Sequence, residues 1–184
     1  YLVMEFVDGR TLEDLLSQRG TLPFNTALAL IDQLCAGLAY AHSRRVIHRD
    51  IKPANIFISN DKVVKLGDFG LARVMKQISL KKTEIRGTPL YMAPEQIQGK
   101  DVSHRADLYA VGCTLYELVC GRPPFIDGEI LFHHLYTPHV PPTAINPNLP
   151  AGFDDLIAEC LAKDPLERIE SASALRDGVR KLVS

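Results

Sequence analysis

Across residues 24–43 the apolar side chains of Leu28, Ile31, Leu34, Leu38 and Ala41 recur at helical spacing. That stripe predicts a long amphipathic helix from about Phe24 to Ser43, with Pro23 suited to its first turn. Upstream, Thr11-x-x-Asp14 has the form of a capping box and predicts a short helix reaching about Arg19. Residues 105–120 are apolar around much of their circumference, the pattern of a central helix buried on most sides. Gly121-Arg122-Pro123-Pro124 stops it. Further helices are predicted over 128–136, 153–162 and 171–183, the last with Ser171 as N-cap.

Between the first two helices and the buried one, the period changes. Val46-Ile47, Ile56-Phe57-Ile58 and Val63-Val64-Lys65-Leu66 are short strand-like runs, with Asn60-Asp61 as a turn between the last two. Residues 1–7 have the same character and end at the turn signal Asp8-Gly9. From Leu71 to Pro94 no period persists, and a connection of that length inside a compact domain is uncommon without a function. The Pro-rich stretch 137–150 reads as a surface connection. The expected fold class is mainly α, a helical bundle with one small β patch in its first half.

Composition narrows this little. With 184 residues, 46% hydrophobic, 23% charged and a net charge of −1, the chain suits one globular domain. That balance gives no reason to expect nucleic acid or a membrane as partner. No apolar run approaches the roughly 20 residues of a membrane span. The four cysteines (Cys35, Cys113, Cys120, Cys160) form no C-x-x-C pair and are expected to be reduced core thiols, with a cytoplasmic setting. The charge is uneven: residues 1–100 hold 14 Lys and Arg against 10 Asp and Glu, and 101–184 hold 7 against 12.

The chemistry-bearing residues gather around the β patch. His48-Arg49-Asp50-Ile51-Lys52-Pro53-Ala54-Asn55 lies between two strand-like runs, and Asp68-Phe69-Gly70 follows the third. Phosphoryl transfer needs a carboxylate to orient and deprotonate the attacking hydroxyl, oxygen ligands for Mg²⁺, and a cation beside the moving phosphate. Asp50, Asn55, Asp68 and Lys52 carry those functions.

Here the sequence resembles the serine/threonine protein kinase family. Residues 48–55 resemble its catalytic loop and 68–70 its DFG motif. Residues 87–95 (Gly-Thr-Pro-Leu-Tyr-Met-Ala-Pro-Glu) resemble the end of the activation segment, which would run over 68–95. Asp107-Leu108-Tyr109-Ala110-Val111-Gly112 and Asp164-Pro165-Leu166-Glu167-Arg168 match two later motifs. The resemblance covers the whole chain in order and implies a kinase C-terminal lobe, with 1–9 as hinge and the N-terminal ATP lobe outside this chain. The wording around the catalytic loop (Gly37 to His42) is similar to bacterial eukaryotic-like kinases.

By that resemblance Asp50 is the catalytic base, and Lys52 stabilises the γ-phosphate. Asn55 and Asp68 are the metal ligands, and Thr88 bonds toward Asp50 and Lys52. ATP and Mg²⁺ are the implied cofactors. Met4 would be the gatekeeper, with the Glu5 carbonyl and the Val7 N–H reading the adenine edge and Phe57 packing beneath it. His48 is implied to be structural. Asp107 would hold the catalytic-loop backbone, and Glu95 and Arg168 would form a buried ion pair. The other histidines (His42, His104, His133, His134, His139) read as surface or packing residues.

Arg73, Lys76, Lys81, Lys82 and Arg86 surround a single acid, Glu84. This is either a solvated loop or the setting for a phosphate on Thr83, or failing that on Ser79, near Arg49. The implied partners are protein substrates, the protein's own N-terminal lobe and, through Thr83, the kinase itself. Alternatives are a pseudokinase or scaffold lobe that binds a protein partner without catalysis, and a small-molecule phosphotransferase with a related core. Alone, this segment is expected to be inactive. Ala54 and Thr11 stand where acids would favour basic substrates, so a strong preference for upstream Arg is not expected.

Overall fold

The computed structural model describes residues 5–68, 89–150 and 152–183. The chain enters through β1 (Gly9–Thr11), α1 (Leu12–Arg19) and the long α2 (Phe24–Ser43). A single 3-10 turn (Pro53–Asn55) leads into β2 (Ile56–Ser59) and β3 (Val64–Leu66). The rest is helical: α3 (Pro94–Ile97), α4 (Arg105–Cys120), α5 (Ile130–Tyr136), α6 (Pro142–Ile145), α7 (Gly152–Cys160) and α8 (Ala172–Lys181).

Local chemistry explains the main boundaries. Thr11 caps α1: its Oγ1 accepts from the Asp14 N–H (3.1 Å), while the Asp14 carboxylate accepts from the Thr11 N–H (2.9 Å). Helix α4 ends at Gly121, whose φ of 77° lets its N–H reach back to the Glu117 carbonyl. Ser171 Oγ accepts from the Ala174 N–H at the start of α8.

Helix α4 is the axis of the domain. Leu108, Tyr109, Val111, Cys113, Leu115 and Leu118 are fully buried along it. The stripe Leu28, Ile31, Leu34 and Leu38 of α2 joins the same core, and Ala41 at its end is buried; each such leucine contributes roughly 1.5–3 kcal/mol by leaving water. Helix α8 lies along α2, with Arg176 and Arg180 both bonded to Asp32. The cysteines are free thiols, three of them buried, and burial pushes Cys35 up to about 12 and Cys120 up to about 11. Among the described residues no helix is long and apolar enough to cross a membrane.

The β patch differs from its sequence-based expectation. It is a three-stranded antiparallel sheet in the order β1-β2-β3, with Arg10 opposite Ile58 and Ile58 opposite Val64. Its outer strand is Gly9–Thr11, so Asp8-Gly9 leads into a strand and does not turn, and residues 5–7 adopt no regular structure. Val46-Ile47 is not a strand: the Val46 N–H bonds to the Ala41 carbonyl, closing the end of α2. The stretch 137–150 is also more than a connection. Helix α6 forms inside it, Thr143 bonds Asp154, and Asn146 Nδ2 donates to the Val119 carbonyl. Helix α3 has no counterpart in the sequence-based reading; the remaining helices keep their predicted places, with ends shifted by up to two residues.

Candidate active site

The loop between α2 and β2 brings three of the candidate residues into hydrogen-bond contact. Lys52 Nζ lies 3.0 Å from Asp50 Oδ2. Asn55 Nδ2 donates to the same oxygen at 2.9 Å and to the Asp50 carbonyl at 2.8 Å. Asn55 is only 6% exposed, whereas the Asp50 side chain is 43% and that of Lys52 37% exposed. The buried amide therefore aims a carboxylate that a ligand can still reach.

Asp107, 1% exposed on α4, fixes the loop from below. Its Oδ2 accepts the His48 N–H at 2.9 Å and its Oδ1 the Arg49 N–H at 2.7 Å. Between those two bonds Arg49 adopts φ 69°, a left-handed conformation that a non-glycine residue keeps where its surroundings hold it. Gln96 of α3 adds a third hold, donating Nε2 to the Arg49 carbonyl at 3.0 Å while its Oε1 accepts the Ala93 N–H.

His48 is fully buried and links the loop to the end of β3. Its Nε2 lies 2.7 Å from the Gly67 carbonyl oxygen, and its Nδ1 faces the Asp50 N–H at 3.3 Å. A ring protonated on Nε2 satisfies both contacts. Asp68 follows Gly67 in a left-handed conformation (φ 59°), so its carboxylate starts from a backbone tied to the loop that carries Asp50. Phe57 lies across the same point: a Cβ on Gly67 would sit 2.6 Å from Phe57 Cε2, so only glycine admits the ring.

Ahead of β1, Glu5 Oε1 pairs with Lys65 Nζ on β3 at 2.6 Å. Among the described residues no hydrogen bond uses the Glu5 carbonyl or the Val7 N–H. Met4, Thr83, Ser79 and Thr88, and the basic stretch from Arg73 to Arg86, lie outside the described residues.

Beyond the loop, two contacts tie residues 89–97 to the helical body. Arg168 meets Glu95 through both terminal nitrogens (2.9 and 3.1 Å). It also donates to the carbonyls of Arg105 and Ala162, and its guanidinium is fully buried. Tyr91 Oη donates to Glu117 Oε2 at 2.5 Å, and burial holds Glu117 above the usual carboxylate range. Beneath α5, Tyr109 Oη lies 2.8 Å from Nδ1 of the fully buried His134. Burial and the neighbouring Lys163 ammonium lower this imidazole to about 4, against the opposing pull of the Leu90 backbone.

Two residues of this constellation were missed in the sequence. Gln96 carried no signal beyond its place after Pro94-Glu95. His42, expected at the surface or in packing, instead has Nε2 2.8 Å from Asp107 Oδ2, with its side chain 9% exposed. Its one signal was the spacing on α2 that puts His42 one residue beyond buried Ala41.

Comparison with known proteins gives the same frame. Residues 1–178 match the family model described as protein kinase domain. The chain is 36% identical over 187 residues to the probable serine/threonine-protein kinase CPE1738 of Clostridium perfringens, covering 99% of this chain and 27% of that protein. It is 38% identical over 181 residues to the serine/threonine-protein kinase PknB of Mycobacterium leprae, covering 96% of this chain and 29% of that protein. The chain thus spans less than a third of the curated relatives it matches. Among solved structures, Rad53 residues 1–466 in complex with AMP-PNP superimposes with a TM-score of 0.79 at 27% identity, over 95% of this chain and 45% of that one. A bundle built on α4, a loop of Asp50, Lys52 and Asn55 anchored by Asp107, and a match along nearly the whole sequence agree: the chain belongs to the protein kinase domain family, and its fold is that of the kinase C-terminal lobe.

Proposed function

We propose that this chain is the hinge and C-terminal lobe of an ATP-dependent kinase that phosphorylates serine and threonine hydroxyls of proteins. The observation that carries the reading is the meeting of Asp50, Lys52 and Asn55 on one anchored loop, with the backbone of Asp68 tied to it through His48. Asp50 orients the attacking hydroxyl and takes its proton. The Lys52 ammonium, already beside that carboxylate, stabilises negative charge on the transferring phosphoryl group.

The donor set fits Mg²⁺. Asn55 gives Nδ2 to Asp50 in both of its side-chain bonds, which leaves Oδ1 as an acceptor, and Asp68 makes no ion pair among the described residues. Mg²⁺ takes one or two protein oxygens and completes its shell with phosphate and water. Bound there, it would neutralise phosphate charge; Asn55 and Asp68 are the residues to hold it. The Glu5 carbonyl and Val7 N–H remain available to an adenine edge, with Phe57 beneath. The roles of Met4 and Thr88, and phosphorylation at Thr83, rest on the sequence resemblance. The names of the relatives and the AMP-PNP bound to Rad53 support the choice of ATP and protein hydroxyls.

The test is γ-phosphate transfer from Mg-ATP by the full-length protein, compared with its Asp50→Asn variant. A loss of about a hundredfold or more is expected, the usual scale for removing a general base. Equal transfer by both proteins, or none by the wild type, sinks the reading.

A further inference from the structure

We propose that Gln96 is a positioning residue for Asp50, a single amide that ties residues 89–93 to the peptide entering Asp50; its catalytic consequence rests on the kinase reading above. Gln96 Nε2 donates to the Arg49 carbonyl at 3.0 Å, across 47 positions of sequence, and its Oε1 accepts the Ala93 N–H at 3.1 Å. These partners set the orientation of the amide, since an N–H needs its oxygen and a carbonyl needs its nitrogen.

The carbonyl of Arg49 and the N–H of Asp50 belong to one peptide unit. Gln96 holds its oxygen, and His48 Nδ1 faces its N–H at 3.3 Å. The preceding peptide is held by Asp107 Oδ1, which accepts the Arg49 N–H. Arg49 itself is left-handed, with φ 69°, a conformation that a non-glycine residue keeps only under restraint. Asp107 restrains it from one side and Gln96 from the other. Without the Nε2 donor, the Arg49–Asp50 peptide is free to turn about the Arg49 Cα–C bond, and the Asp50 carboxylate moves with it.

Ordinary helix capping explains only half of this arrangement. Gln96 is the third residue of α3, and Ala93 is its N-cap. A Glu or Gln at that place reaches back to the N-cap N–H, and a carboxylate suits a helix start at least as well as an amide does. A carboxylate has no hydrogen to give the Arg49 carbonyl, however. The amide is thus accounted for by the loop that carries Asp50, and the cap alone would not require it. The foot of the bridge is firmly set: Ala93, Pro94 and Glu95 are buried, and Arg168 clamps Glu95. Through Gln96, the base and the stretch that resembles the end of the activation segment share one frame.

The experiment compares wild type, Gln96→Glu and Gln96→Met in the full-length protein. Glutamate keeps the acceptor for Ala93 and loses the donor to Arg49; methionine has a similar length and neither function. Residue-resolved amide hydrogen exchange reads the two arms separately, and steady-state transfer from Mg-ATP reads the consequence. In Gln96→Glu, exchange at the Asp50 amide is expected to accelerate about fivefold or more while the Ala93 amide keeps its wild-type rate. In Gln96→Met both accelerate. Each variant should lose about five- to tenfold in kcat with KM for ATP within about twofold, the scale of one hydrogen bond. The urea midpoint of Gln96→Glu should stay near that of the wild type. Wild-type exchange at Asp50 in Gln96→Glu overturns the proposal and leaves Gln96 as a cap. So does accelerated exchange with unchanged kcat, or a loss of kcat confined to Gln96→Met. If the wild type transfers no phosphate yet exchange responds as described, the kinase reading fails while the positioning of Asp50 by Gln96 stands.

Discussion

His134 makes the stability of this domain depend on acid in a way that can be isolated. The imidazole is fully buried under α5, with Tyr109 Oη at Nδ1. Facing it are the Lys163 ammonium, His133 and the edge of the Phe125 ring. A second positive charge there would lack water and oppose Lys163, so His134 stays neutral down to about 4, against 6.5 for an ordinary imidazole. Between those values the unfolded chain binds a proton that the folded chain excludes, so stability falls as the pH is lowered through the window. Accumulated to pH 4, the loss is about 3 kcal/mol. His134→Asn removes the titration while leaving an acceptor for the tyrosine hydroxyl. Urea unfolding at closely spaced pH values is the assay. The carboxylates, among them Asp14 and Asp32, whose hydrogen bonds hold them below the usual range, are common to both proteins and cancel in the difference. From about pH 7 to pH 4 the wild type is expected to lose about 3 kcal/mol more than the variant. Parallel stability curves for the two proteins would refute the argument, whatever their offset at neutral pH.

Three further outcomes are expected. Glu95→Gln strands the fully buried Arg168 guanidinium and should cost about 3–5 kcal/mol by urea unfolding; Arg168→Lys should also destabilise, because one ammonium cannot replace a two-pronged contact plus carbonyl bonds. Asp32→Asn should move the unfolding midpoint by only a small fraction of that, since Arg180 is 55% exposed. The arginines hold the Asp32 carboxyl below its usual range, so its small contribution is present at neutral pH and fades as pH falls through the lowered value. Gly67→Ala drives a Cβ to within 2.6 Å of Phe57 Cε2, which should cost roughly 1–3 kcal/mol of stability and weaken binding of a non-hydrolysable ATP analogue; unchanged affinity would remove Phe57 from the adenine site.

The helical frame was legible because its signals are local. The α2 stripe, the Thr11 box, the Ser171 cap and the Gly121 stop each act within a few residues, and each lies where the pattern put it. The sheet was read less well for the opposite reason. Gly9–Thr11 is a strand only because β2, some 50 residues on, offers it an edge, and nothing in three residues announces a distant partner. Val46-Ile47 has strand-like side chains but a backbone already committed to closing α2. At the site, the types and order of Asp50, Lys52, Asn55 and Asp68 were readable. His42 was not, because its partner is 65 positions away in the chain.

Asp107 grips the loop at two backbone amide hydrogens, those of residues 48 and 49. Such a grip is blind to the identity of the residues it holds. The side chain at position 49 can be exchanged while the peptide that delivers Asp50 keeps its anchor. Control of the loop and placement of the loop are thereby separately heritable: one is written in replaceable side chains, the other in a carboxylate rooted in the most deeply buried helix of the domain.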